Sequence, residues 1–106
     1  MTIKYKGKEY EIKFTYRALM IYENITNTAF QPNNFTGIIN YFYSALLAAA
    51  KGESIDYNEF IDWLDENPDE LNKFSMFLDE LYDLNNKISP KIEEKKEDID
   101  EKDVPN

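Results

Sequence analysis

The first fourteen residues alternate between apolar and polar positions, which is typical of β-strands. The apolar side chains fall at every second residue of two short runs, namely Ile3 and Tyr5, then Tyr10, Ile12 and Phe14. Gly7 lies between the runs and can adopt the positive φ of a tight turn. The pattern predicts a β-hairpin with one apolar face. Because two strands alone are marginal in water, that face is expected to pack on helices.

From residue 15 the apolar spacing changes to three and four residues, which predicts helices. Thr15 is the expected N-cap of a helix over 15–26, and the Asn- and Thr-rich segment 26–34 has the composition of a loop. Residues 35–51 are apolar on nearly all sides, as in a buried central helix or one covered in an oligomer. Gly52 is expected to supply a left-handed C-terminal cap.

A third helix is predicted over residues 57–66. Asp56 and Glu59 have the spacing of a capping box, in which each side chain satisfies a backbone N–H at the helix start. Ile55 and Phe60 occupy the positions of a hydrophobic staple. The helix should therefore place an apolar face on the core and an acidic face in water.

A fourth helix is predicted to begin at Asn67-Pro68, with Asn67 as its N-cap. Its apolar stripe continues to Ile88, and Met76 lies off that stripe and should be exposed. Residues 89–106 are dominated by Lys, Glu and Asp, too polar to offset chain entropy by burial, so a disordered tail is expected. We therefore predict an α+β, mainly helical fold: a single domain over 1–88, with an N-terminal β-hairpin packed on about four α-helices.

Composition narrows the possible functions. The chain has 106 residues and neither Cys nor His, which excludes thiolate nucleophiles, imidazole bases and the usual zinc ligands. It contains no Gly-rich phosphate loop or nucleophile elbow, and no apolar run long enough to span a bilayer. We expect a soluble intracellular protein with no enzymatic activity, no catalytic residues, no metal and no cofactor.

Charge is distributed unevenly along the chain. The net charge is −9, yet residues 1–17 carry five cations against two acids, and residues 53–83 carry eleven acids against Lys73 alone. The acidic total argues against nucleic-acid binding, which normally needs a basic face. The opposite charges of the two segments could orient a head-to-tail contact between copies. For any single charge, a solvated surface position is the simpler interpretation.

The run I-D-Y-N-E-F near the middle of the chain resembles the end of an EF-hand calcium loop. With Glu59 at position 12 of such a loop, positions 1 and 3 fall on Ala48 and Ala50, and position 6 falls on Glu53 instead of glycine. Alanine side chains offer no oxygen ligand. The acids of this run are therefore interpreted as helix caps rather than calcium ligands.

Aromatic residues make up 15% of the chain, more than a small core requires. Most are expected in the core and some at an interface, where aromatic anchors are favoured. Arg17, the single arginine, could clamp an anion, although an arginine stem more often covers apolar surface. The candidate partner-binding residues are Phe42, Leu46, Trp63, Phe74, Phe77 and Leu81.

The order of these segments carries a family resemblance. A lysine-rich hairpin at 3–14 is followed by T-Y-R-A-L at 15–19, an Ala/Leu-rich helix at 43–50 and a capped acidic helix at 55–66. This arrangement resembles the tail assembly chaperones of long-tailed bacteriophages over about residues 1–86.

The resemblance implies a protein that self-associates and keeps the long, helical tape measure protein soluble in the cytoplasm of the bacterial host. Tail tube subunits would displace it during virion assembly. Two other classes remain open. An acidic inhibitor or nucleic-acid mimic would occupy a basic cleft, and a calcium sensor would change the fluorescence of Trp63 when calcium is added.

Overall fold

The computed structural model describes residues 1–30 and 34–88, with side chains up to residue 81. Its elements are the strands β1 (Thr2–Tyr5) and β2 (Lys8–Glu11) and the helices α1 (Tyr16–Thr26), α2 (Phe35–Ala50), α3 (Tyr57–Glu66) and α4 (Pro68–Ile88). An N-terminal antiparallel hairpin is thus followed by helices, and the α+β, mainly helical prediction is confirmed. The predicted tail over 89–106 and the centre of the predicted loop lie outside the described residues.

The hairpin turn follows from two left-handed residues. Tyr5 pairs with Lys8, so only two residues join the strands, and both have positive φ: 50° at Lys6 and 81° at Gly7. This is the backbone of a type I′ turn, whose twist matches that of the flanking strands. Ile3 and Tyr5 are buried, as the alternating pattern predicts.

The second strand ends earlier than its alternation suggests. Thr2 pairs with Glu11, and the Ile12 N–H then donates to the Met1 carbonyl at 2.7 Å. No residue of β1 remains to pair with Phe14, whose side chain is 43% exposed. The prediction that Phe14 continues the buried face was therefore wrong, because strand length depends on the partner strand.

Side-chain caps define the starts of α1 and α2. The hydroxyl of Thr15 accepts a hydrogen bond from the Ala18 N–H at 3.0 Å, which confirms the predicted cap. Asn34 accepts from the Gly37 N–H at 2.9 Å and starts α2 in the same way. The helix α2 ends on a left-handed residue with φ of 52° at Lys51, so the left-handed stretch begins one residue before the predicted Gly52.

Half of the capping box predicted at the start of α3 forms, and the predicted cap of α4 does not. Asp56 accepts from the Glu59 N–H at 3.0 Å, as predicted, whereas the Glu59 carboxylate accepts from Lys6 of the hairpin instead of from the N–H of Asp56. Asn67 uses its side chain on the preceding helix, donating to the Trp63 carbonyl at 2.8 Å. The Glu70 N–H bonds the backbone carbonyl of Asn67 at 2.9 Å. The prediction of Asn67 as a side-chain N-cap was therefore wrong.

Residues Met1–Met76 form one compact unit, whose core centres on α2. The Phe42 ring stacks on Phe74, with centroids 4.3 Å apart, and meets Phe60 edge-on at 5.4 Å. The hairpin joins this core through Tyr5, whose ring lies 5.4 Å from that of Trp63. A central helix buried on several sides is what the sequence predicts. The largest fully buried side chains are Tyr41, Phe42, Phe60, Phe74, Ile12, Leu46 and Ser44.

The second unit begins at Phe77 and is described as the last part of α4, through Ile88. Within it, Phe77 and Leu81 are half-buried. Met76, the last residue of the first unit, is 62% exposed, which confirms its predicted position off the apolar stripe.

Candidate interaction surface

Three of the predicted partner-binding residues are fully buried within the first unit. Phe42, Leu46 and Phe74 have no exposed surface. In this conformation they are core residues, because a partner could reach them only if the core opened. Phe77 and Leu81 are half-buried in the second unit.

Trp63 lies at the edge of the core and is half-buried. Its ring contacts three others: Tyr5 at 5.4 Å, Phe60 at 5.9 Å and Phe42 at 6.1 Å. Aromatic pairs at such distances stabilise a core beyond simple area burial. The indole therefore joins the hairpin and α2 to α3, which is a packing role.

Two lysines of the hairpin are paired with acids around the start of α3. Lys6 donates to Glu59 and Lys8 donates to Glu53, which also accepts from the Tyr10 hydroxyl at 2.9 Å. The bonds from Lys8 and Tyr10 lower the pKa of Glu53, while the bond to Glu53 raises the pKa of Lys8. All four charged groups are exposed, so the pairs fix geometry more than they stabilise the fold.

A groove runs beside the second half of α2, where α1 and the end of the hairpin approach it. One hollow of about 410 Å³ has a floor of small side chains, and a second of about 470 Å³ adjoins it through shared residues. We call this the α1–α2 groove. Its lining residues are Glu11, Lys13, Thr15, Arg17, Ile21, Ala45, Leu47, Ala48, Ala49, Lys51 and Gly52.

The rim of the α1–α2 groove is positively charged. Lys13, Arg17 and Lys51 are exposed, and none forms a salt bridge with another side chain in the described part of the chain. The single acid, Glu11, accepts a hydrogen bond from the Thr2 hydroxyl at 2.7 Å. That hydrogen bond has the largest effect on the pKa of Glu11 and the Met1 amino group the next largest, and both lower it. The negative charge of Glu11 is therefore already compensated within the chain.

The sequence pattern draws attention to Arg17 and to the cations of residues 1–17, but it does not predict this groove. Lys13 and Arg17 lie four residues apart, but Lys51 is distant in the chain and joins them only when α1 packs on α2. One local signal was available, because Ala48 and Ala49 lie close to Lys51 in the sequence. Small side chains next to a cation are compatible with a helix surface that another helix can approach closely.

The outward side of α3 carries three exposed carboxylates. Asp62, Asp65 and Glu66 recur at three- and four-residue spacing, and we call them the α3 acidic ridge. Within residues 1–30 and 34–81 they form no salt bridge. Ile61, which is half-buried, borders the ridge.

The described residues contain no preformed calcium-binding site. They include no group of three or more acids, histidines or cysteines arranged to hold a metal ion. Asp56 caps α3 and Glu59 accepts from Lys6, so both acids of the EF-hand-like run are already engaged.

Large apolar side chains are exposed on α1 and at the start of α2. Tyr16 is 86% exposed and Met20 is 64% exposed, one helical turn apart on the same side of α1. Phe35 is 69% exposed. The alternating and helical patterns do not single these residues out, since they mark apolar positions but not whether each is covered.

The sequence matches no model of a known protein family, and no curated protein or solved structure shows significant similarity to it. None of the described helices is long and apolar enough to cross a membrane.

Proposed function

We propose that this chain is a non-enzymatic phage tail assembly chaperone that binds the tape measure protein and keeps it soluble before tail tube assembly. One observation carries the proposal: Tyr16 and Met20 present large apolar side chains on one side of α1 while the acids of α3 face solvent. An amphipathic helix binds through its apolar face, so an apolar patch can hold such a helix. Acidic surfaces then keep the complex soluble.

The order of elements is compatible with the proposal, because the hairpin, the central Ala/Leu-rich helix and the capped acidic helix on which the resemblance rests all form. The chaperone would act in the cytoplasm of the bacterial host and be displaced by tail tube subunits. No cofactor or metal takes part.

Co-expression with the large helical protein encoded next to this gene tests the proposal. The partner should be recovered in the soluble fraction with the chaperone and in inclusion bodies without it. Met20→Asp should abolish the effect, because it places a charge in the apolar contact. Met76→Asp is the matched control, since Met76 is also exposed but lies on α4. A partner that is equally insoluble with and without this chain would refute the proposal.

The unpaired carboxylates of the α3 acidic ridge favour a second candidate, an acidic inhibitor that occupies a basic cleft or mimics nucleic acid. Reversing Asp62 and Asp65 to lysine would abolish such inhibition, whereas Met20→Asp would leave it unchanged. The two functions therefore respond to different substitutions.

A further inference from the structure

We propose that the α1–α2 groove receives the α3 acidic ridge of a second copy of this chain, so that the protein self-associates head to tail. The contact joins two different surfaces of this chain and requires no other partner. Among the described residues, the cations of the groove and the acids of the ridge form no salt bridge, and the groove has the shape to hold a helix.

Two lysines of the hairpin are paired with acids within the fold, whereas the three cations of the groove are not paired with any described acid. Lys6 and Lys8 bind Glu59 and Glu53 within the chain. Lys13, Arg17 and Lys51 form no salt bridge in the part of the chain that the structure describes. Positive charges gathered around one groove attract an acidic partner and orient its approach.

The floor of the groove favours a helix as the occupant. Ala45, Ala48 and Ala49 are small, and helix axes approach more closely where the contact side chains are small. Leu47 and Ile21 extend the apolar lining into the adjoining hollow. A free anion such as phosphate would gain little from this apolar floor, whereas a helix with acids beside an apolar residue would use both floor and rim.

The α3 acidic ridge has the required chemistry. Asp62 and Glu66 lie one helical turn apart, with Asp65 beside them. Side chains at this four-residue spacing form a ridge, and such ridges pack into the grooves of neighbouring helices. Ile61 borders this row and can meet the alanine floor. The ridge offers three carboxylates to the three cations of the rim.

The α3 acidic ridge of one chain does not contact the α1–α2 groove of the same chain. The inward side of α3 holds Phe60 and Leu64 in the core, which leaves the ridge facing outward. The two surfaces differ, so the contact is heterologous: each copy keeps a free groove at one end and a free ridge at the other. Such contacts close into a ring or continue as an open chain.

Paired charge reversals test the inference, with oligomeric state measured by sedimentation velocity and light scattering. The groove variant Arg17→Glu/Lys51→Glu and the ridge variant Asp62→Lys/Asp65→Lys should each weaken self-association by at least about tenfold, because each juxtaposes like charges. All four positions are exposed, so both variants should keep the helical circular dichroism of the wild type.

A mixture of the two variants tests directly whether the groove of one copy binds the ridge of another. The ridge variant keeps a basic groove for the acidic ridge of the groove variant, and the two reversed surfaces again carry opposite charges, so both contacts between the variants join opposite charges. Each variant alone should stay dissociated, whereas the mixture should recover assembly with the two variants alternating. Higher salt should weaken the wild-type assembly, since the Debye length falls from about 10 Å at 0.1 M to about 3 Å at 1 M.

The double variant Lys4→Glu/Lys73→Glu is the matched control. It lowers the net charge by as much as the groove variant does, at exposed lysines outside the groove, and should self-associate like the wild type. A monomeric wild type, a groove variant that still assembles, a mixture that stays monomeric, or a control that dissociates equally would each overturn the inference. None of these results bears on tape measure solubility, so failure here is distinguishable from failure of the proposed function.

Discussion

The buried hydroxyl of Tyr41 offers the most informative test of the core. The side chain has no exposed surface, and its ring stacks on Phe30 with centroids 4.5 Å apart. Among the described residues, the hydroxyl has no hydrogen-bond partner of ordinary geometry. Burial raises the pKa of this hydroxyl well above its usual value, an effect that the nearby Thr15 backbone opposes only in part. The fold therefore contains a buried polar atom whose desolvation is offset only in part.

Replacing Tyr41 with phenylalanine keeps the ring contacts and removes that atom. A buried, unsatisfied polar group costs about 1–3 kcal/mol. Tyr41→Phe should therefore raise the free energy of unfolding by about 1 kcal/mol, equivalent to a rise in Tm of about 4–8 °C for a domain of this size. The matched control is Tyr43→Phe, because the Tyr43 hydroxyl donates to the Ile55 carbonyl. Its loss should lower the free energy of unfolding by about 1 kcal/mol.

Urea unfolding followed by Trp63 fluorescence and far-ultraviolet circular dichroism measures both changes as shifts of the midpoint at constant slope. Alkaline pH adds a second readout. Because the pKa of Tyr41 is raised in the folded state, its contribution to stability is complete below the ordinary value of 10.0 and declines as pH rises above it. The wild type should thus lose stability above that pH more steeply than Tyr41→Phe. If Tyr41→Phe destabilised the protein as much as Tyr43→Phe, the hydroxyl would have a partner and the reasoning would be wrong.

Three further outcomes are expected. Asp56→Ala should lower the free energy of unfolding by about 1 kcal/mol, because it removes the acceptor for the Glu59 N–H, and Asp56→Asn should restore most of the loss in urea titrations. Gly7→Ala should cost about 1–2 kcal/mol through its positive φ alone, since no atom lies within 4 Å of the added methyl group; unchanged stability would contradict the type I′ turn. Tyr10→Phe should raise the lowered pKa of Glu53 toward its ordinary value in carboxyl NMR titrations, and the contribution of Glu53 to stability should fade only as pH drops through that pKa.

Local features were readily predicted because their causes are local. The caps Thr15 and Asp56 each bond an N–H three residues away, so the sequence pattern alone contains both partners. The end of β2 and the role of Asn67 depend on neighbours instead. Pairing ends where β1 runs out, and the Asn67 side chain binds the helix behind it instead of the one ahead.

The candidate surface was harder to predict, because periodicity shows which residues are apolar but not which ones are covered. Phe42 and Leu46 fall on the central helix and are enclosed, whereas Tyr16 and Met20 remain exposed. The α1–α2 groove exists only once α1 packs on α2 and brings Lys13 and Arg17 close to the distant Lys51. Three-dimensional packing therefore decides the interaction surfaces, although the helices that carry them are evident from the sequence.

The enclosure of α2 has a consequence for amide hydrogen exchange. Tyr41, Phe42, Ala45 and Leu46 are all buried, so the middle of this helix contacts protein on several sides. Amides there should exchange with deuterium only when the whole first unit unfolds, while α3, which turns its ridge to water, should open in smaller fluctuations. The slowest amides would then report the global stability of the unit directly, and any ligand that slowed exchange at α3 alone would be identified as binding the outer surface.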